Sequence, residues 1–263
     1  MEEILCVTRS RRMNTNFLVD GRPTLTVMIQ ARTPERVFEL IEKGLDGGAD
    51  AFGLQLEQLE HKYRTEDKFK SFFKAMNGKP AYVTNYRTNL NTNMTDEERA
   101  AELLKAAGCG AALIDVMGDL YCPSELEIAY DENAAERQRE LIGKIHATGA
   151  EVLMSSHTAK FLAPETVLKI AETQVSRGAD IAKVVTVADS EKELDSNYTA
   201  SLLLKEKLGH PFLFLSVGKC CAKHRRIAPF LTNGIFLCVV CQDELSTPAQ
   251  PLLKTAKEMV SLF

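Results

Sequence analysis

Short apolar runs alternate with longer amphipathic stretches along the whole chain, and that alternation leaves few folds open. The runs cover residues 25–30, 51–56, 81–84, 111–115, 152–155, 181–186, 212–215 and 235–239. They are rich in β-branched residues and nearly continuous in apolar character, as strands buried on both faces of a parallel sheet must be. Between them the spacing predicts helices. Thr33-Pro34 opens one, with Thr as N-cap and Pro at the first helical position, and Val37, Leu40, Ile41 and Leu45 form its buried stripe. Thr95 and Glu98 spell a capping box, and Ala163-Pro164-Glu165 starts a helix carrying Val167, Leu168 and Ile170. Glycines at 47–48, 108, 149 and 178 suit the left-handed turns that send a helix back into a strand.

Eight such units without a Pro/Gly/Ser-rich linker predict a single α/β domain over residues 1–263, a closed (β/α)8 or TIM barrel. An open doubly wound sheet is the competing arrangement, but no glycine-rich dinucleotide fingerprint follows the first strand. Residues 1–23 precede the barrel, and the Asp20-Gly21 turn predicts an N-terminal hairpin that closes its bottom.

The 263 residues carry 32 Lys plus Arg against 36 Asp plus Glu, a net charge of −4, which gives no general basis for binding nucleic acid or an anionic membrane. No apolar run approaches the ~20 residues of a membrane span. Met1 is followed by Glu2 and Glu3, and the seven cysteines are scattered, so the expected location is a reducing cytoplasm with free thiols. Cys238 and Cys241 form a CxxC inside an apolar run, where the plainer reading is a pair of strand residues. Cys220 and Cys221 are adjacent and read as unpaired thiols.

In such a barrel, chemistry belongs at the C-terminal ends of the strands. The polar residues that fall there are Gln30, Gln55, Glu57, Asn85, Arg87, Asp115, Ser155, Ser156, His157, Lys183 and Ser216, with Arg225 shortly after. Lys183 lies among apolar neighbours in the sixth run. Burial disfavours an ammonium, and a neutral amine attacks a carbonyl to give a Schiff base; a lysine ion-paired inside the barrel is the structural alternative. His157 closes the fifth run, where a base can take a proton beside an iminium. His61, His146, His210 and His224 fall on helices or loops without metal-ligand spacing. The basic loop after the seventh run offers Arg225 or Arg226 for a carboxylate, and Gln250 follows the last run.

These residues resemble the type I 3-dehydroquinate dehydratases of the shikimate pathway. The likeness rests on Ser-x-His ending at His157, GADIAK ending at Lys183, SVGK-x5-R ending at Arg225, and STPAQ ending at Gln250. It implies a cytoplasmic lyase that needs no cofactor and no metal. Lys183 would form the iminium and His157 would serve as base, then acid. Arg225 and Gln250 would hold the substrate carboxylate, Arg87 would contact substrate, and Asp115, near the end of the fourth strand, would support the site. The expected partner is a small keto acid, with no nucleic acid or membrane, and a homodimer is the default assembly.

Departures from the family pattern gather on one side. The Glu-x-Arg pair that grips ring hydroxyls reads Gly53-Leu-Gln55 here. The glutamate that pairs with the catalytic histidine is Asn91, so Asn91 stands at a catalytic position without the charge to stabilise an imidazolium. The serine near the carboxylate is Asn233, a lid glycine is Ala249 and a loop glycine is Cys221. The same lysine chemistry on a different cyclic or linear keto acid is one expectation; dehydration of 3-dehydroquinate itself, with Glu57 or Gln30 compensating, is the other. A class I aldolase-type carbon–carbon lyase and a non-catalytic keto-acid-binding descendant are the competing functions.

Overall fold

The computed structural model describes residues 16–232 and 234–262. Among them, strands and helices alternate as the sequence pattern requires: β1 (Thr24–Ile29), α1 (Pro34–Gly47), β2 (Ala51–Gln55), α2 (Glu66–Ala75), β3 (Ala81–Thr84), α3 (Asp96–Gly108), β4 (Leu113–Met117), α4 (Glu132–His146), β5 (Glu151–His157), α5 (Pro164–Ser176), β6 (Ile181–Val187), α6 (Glu191–Lys207), β7 (Phe212–Val217), α7 (Cys221–Thr232), β8 (Ile235–Cys238) and α8 (Leu253–Val260). All neighbouring strands are parallel, in the order β7-β6-β5-β4-β3-β2-β1-β8. The last strand returns beside the first, with Thr24 opposite Ile235 and Val27 opposite Cys238, which leaves the barrel nearly closed. Between β7 and β8 there is no backbone ladder among the described residues, but Leu213 and Leu215 share an inner core with Ile235 and Leu237.

The continuous apolar strands follow from two cores. Met28, Tyr82, Leu113, Leu153 and Ile181 point inward, while Val27, Ile29, Phe52, Val83 and Ile114 pack outward under the helices. Alternation along each strand therefore separates two buried faces and shows no polar side. Thr95 and Glu98 form the expected capping box. Thr33 occupies the N-cap of α1, yet its side chain makes no capping bond, and Pro34 alone sets the first turn. After α3 the left-handed residue is Gly110, at φ 104°, rather than Gly108.

Three expectations shift. The fourth strand begins two residues later than its apolar run, which puts Asp115 at its middle and not near its end. No strand precedes β1 among residues 16–23; Asp20-Gly21 is a turn, and the Val19 N–H donates to Thr24 Oγ1 (2.8 Å). The barrel bottom is filled instead by one buried side chain, Phe17, whose ring meets Tyr82 edge-on at 6.3 Å. Residues 1–15 of the predicted extension lie outside the described residues. Cys238 is buried in β8, where burial pushes its thiol up to about 12, while Cys241 accepts from Arg36 (3.2 Å). No described helix is long and apolar enough to cross a membrane.

Candidate active site

A cavity of about 360 Å³ opens at the C-terminal ends of the strands, and Lys183, His157, Arg87, Arg225, Gln55 and Gln250 all line it. Lys183 is the third residue of β6. The β5–β6 register places it beside Ser155 and puts His157 beside Val185, so lysine and histidine rise from adjacent strands.

Lys183 is buried, and its Nζ donates to three oxygens: Tyr86 Oη (2.5 Å), Tyr82 Oη (3.0 Å) and Asp115 Oδ2 (3.1 Å). Asp115 is the hub. Its Oδ2 also accepts from the Tyr82 and Tyr86 hydroxyls, and its Oδ1 accepts from Ser155 Oγ (2.5 Å). Burial alone would push this carboxyl up. The charges of Lys183 and His157, with the bonds from Ser155 and Tyr82, outweigh it and hold Asp115 below the usual range. The tyrosines move the other way: burial first, then the Asp115 charge, raises both well above their ordinary value. They are therefore fixed proton donors around a carboxylate.

His157 is half-exposed, and its ring lies edge-on to Tyr86 at 4.7 Å. Its carboxylate partner is Glu127, from the β4–α4 connection. Glu127 Oε2 lies 3.3 Å from His157 Nδ1 and accepts from the His157 backbone N–H (2.6 Å). Asn91 has no part in this pair. It is fully buried beneath the β3–α3 connection, accepting from Arg64 (2.7 Å) and donating to Asn85 (2.7 Å) and the Tyr86 carbonyl (2.8 Å). Its amide suits that network because it must both donate and accept, which a carboxylate cannot.

The cationic side of the cavity is Arg225. It is buried on α7, with Nε donating to the Ser216 carbonyl (2.7 Å). Burial lowers its pKa, and among the described residues no carboxylate pairs with it. Gln250 is also buried, with Oε1 lacking any partner. The guanidinium is a group that an incoming carboxylate would satisfy, while the Gln250 Oε1 calls for a donor such as a ligand hydroxyl and its amide NH2 is the part that could meet a carboxylate. Asn233 lies outside the described residues.

Gln55 lines the cavity, partly exposed, and the other candidates are occupied. Arg87 pairs with Asp96 (2.6 Å) and Asp119 (2.7 Å); burial would lower its pKa, but the two carboxylates raise it instead. It lines the cavity with its charge already neutralised. At Gly53, an added Cβ would lie 2.3 Å from Met28 Sδ, so a thioether fills the space a longer side chain would need. Glu57 does not compensate: it is buried and accepts from Thr84 Oγ1 (3.0 Å) and the Tyr86 N–H (3.4 Å). Gln30 instead ties down the loop after β8, donating to Thr247 Oγ1 (3.0 Å).

Sequence reasoning missed Glu127, Tyr82 and Tyr86. The tyrosines carried a readable signal, since Tyr82 shares the inward register of its strand and Tyr86 precedes the singled-out Arg87. Glu127 carried none: it lies in an irregular connection at φ 48°, placed by the path of the loop.

Comparison with known proteins bears on this arrangement. The family model of type I 3-dehydroquinase matches residues 25–263. A 3-dehydroquinate dehydratase from Klebsiella pneumoniae is 26% identical over 174 residues, which span 65% of this chain and 64% of that protein's length. Among solved structures, a type I 3-dehydroquinate dehydratase from Clostridium difficile, crystallised with covalently modified comenic acid, superposes with a TM-score of 0.77 at 16% identity, covering 93% of this chain and 94% of its own. The 3-dehydroquinate dehydratase from Geobacillus kaustophilus gives 0.78 at 15%, covering 93% and 92%.

Proposed function

The chain belongs to the type I 3-dehydroquinase family, and from that premise we propose that it is a hydro-lyase that removes water from 3-dehydroquinate or a related keto acid through an imine on Lys183. The observation that carries the reading is Lys183 held against Asp115 and two tyrosines, with His157 on the next strand and both facing one cavity.

The steps follow from that geometry. Arg225 and Gln250 take the substrate carboxylate. Lys183, once it has lost a proton, adds to the ketone carbon, and the ketone oxygen departs as water to leave an iminium. Asp115 remains ionised beneath it and stabilises the cation, while Tyr82 and Tyr86 keep the nitrogen oriented. His157 removes the proton from the carbon beside the iminium. The resulting enamine expels the β-hydroxyl, which leaves as water with the proton from His157. Glu127 holds the imidazole by Nδ1 and offsets its charge while the proton is on the ring. Hydrolysis of the conjugated iminium returns the amine. The reading includes a cytoplasmic setting and a homodimer.

Borohydride trapping with 3-dehydroquinate, followed by peptide mapping, tests it alongside ultraviolet absorbance of the enone. The expected result is an adduct on Lys183 that is lost in Lys183→Met, with absorbance growth. Carbon–carbon cleavage products without an enone would point to aldolase-type chemistry. Folded protein that forms no adduct with any keto acid would leave only the non-catalytic reading.

A further inference from the structure

We infer that the preferred substrate is a hydroxy keto acid whose carbons beyond the ketone are bare of hydroxyl groups, so that 3-dehydroquinate is a poorer substrate than its counterpart lacking the hydroxyls on the two ring carbons that follow the ketone. The inference rests on the imine reading of Lys183.

The cavity is chemically divided. On the β5–β7 side stand the amine, the imidazole with its carboxylate, and a guanidinium that has no carboxylate partner among the described residues. Opposite them, the wall formed by β8, β1 and β2 presents Leu237 and Met28, with Gln55 the neutral, partly exposed exception. Among the described residues, each charged group on that side is already engaged. Arg87 is neutralised by Asp96 and Asp119. Glu57 is buried away from the cavity on Thr84 and the Tyr86 N–H. Gly53 has no side chain, and Met28 Sδ occupies the volume where one would begin. Two further polar side chains of the wall are spent as well: the Thr84 hydroxyl donates to Glu57, and Thr247 is held by Gln30, which leaves the Gln55 amide as the polar contact of the wall itself.

A substrate anchored by its carboxylate at Arg225 and by its ketone at Lys183 must turn its remaining carbons toward this wall. Hydroxyls placed there leave water and find a thioether and a leucine, with the neutral Gln55 amide able to replace only part of the hydrogen bonding lost. Methylene groups gain by the same contact. The reaction itself needs only the ketone, the proton beside it, and a hydroxyl one carbon further on. It does not need the others.

The test compares two compounds on the wild-type protein: 3-dehydroquinate and 1-hydroxy-3-oxocyclohexane-1-carboxylate, which keeps the carboxylate, the leaving hydroxyl and the ketone. Loss of water gives a conjugated enone from each, so absorbance reads both. The expected result is a kcat/KM roughly 10- to 100-fold higher for the dideoxy compound, the range in which an apolar pocket discriminates against an added hydroxyl. Borohydride trapping on Lys183 is run in parallel to separate the two layers of the argument. Trapping of both compounds with equal or faster turnover of 3-dehydroquinate overturns this inference and leaves the imine reading intact. Trapping of neither in folded protein removes the imine reading, and this inference with it.

Discussion

Replacing Asp115 by Asn tests whether the buried network around Lys183 is an ion pair or a set of hydrogen bonds. Lys183 Nζ and Asp115 Oδ2 are 3.1 Å apart, with side chains 5% and 0% exposed. At an effective dielectric of about 20, their attraction is roughly 5 kcal/mol. Most of that offsets the cost of taking two charges out of water, but removing one partner strands the other, at about 3 kcal/mol. Lys183→Met should cost somewhat less, roughly 2 kcal/mol, because the carboxylate keeps the Tyr82, Tyr86 and Ser155 hydroxyls. The double variant strands neither charge. It should therefore cost about 3 kcal/mol rather than the sum of about 5, a coupling near 2 kcal/mol. Urea unfolding followed by far-ultraviolet circular dichroism reads this, each kcal/mol moving the midpoint by roughly 0.3–0.5 M. Asp115 is held below its unfolded value, so its contribution is present above about pH 4 and is lost as pH falls through the folded value. Asp115→Asn should flatten that acid limb. Losses in the double variant that add to within about 0.5 kcal/mol would refute the coupling and reduce the network to independent hydrogen bonds.

Glu57 should act in the opposite sense. Burial raises its carboxyl to about 7, against the bonds from Thr84 and the Tyr86 N–H. The folded state then holds a proton the unfolded chain has released, so stability should fall between about pH 4.5 and 7 by up to about 3 kcal/mol. Glu57→Gln should remove that slope, as unfolding at pH 5 and pH 8 would show. Glu127→Gln should lower kcat about fivefold to tenfold, because the pair with His157 is partly exposed and worth about 1 kcal/mol. The Lys183 adduct should still form; an unchanged kcat would release Glu127 from its role. Arg225→Gln should lower kcat/KM about 100-fold, mainly through KM, as loss of a charge-assisted carboxylate clamp does. An effect confined to kcat would move the carboxylate elsewhere.

The barrel was legible because its signal is periodic and local. Continuous apolar runs mark strands with two buried faces, and Thr95 with Glu98 marks a helix start without reference to anything distant. Lys183 and His157 were legible because a strand fixes which residues reach its C-terminal end. Strand registration was less legible, as Asp115 shows: alanines at 111 and 112 extend the apolar run ahead of the strand, where Ala112 bonds both neighbours through its backbone alone. What the chain does with each charge was not legible. Arg87 is recruited by Asp96 on one helix and Asp119 in the next connection, and no local pattern announces that. The same holds for Gly53, whose meaning depends on the sulfur of Met28 across the β1–β2 ladder.

Asn91 carries this argument furthest. Taken alone, an amide at a position where the family carries a carboxylate implies a weakened acid–base residue. In the folded chain, the amide bonds Arg64 Nη1, Asn85 and the Tyr86 carbonyl, while a carboxylate from another connection reaches the imidazole. A charge requirement at a catalytic histidine constrains the space around Nδ1, not a sequence position, because any loop that can deliver an oxygen there meets it. Among the described residues no comparable replacement occurs on the wall around Gly53: Gly53, Met28 and the saturated Arg87 leave no free charge on that side. On the proposed imine reading, the two departures differ in kind: one relocates a function the chemistry needs, and the other withdraws a contact that only a particular substrate needs, so the proposed divergence lies in what the chain binds rather than in how it reacts.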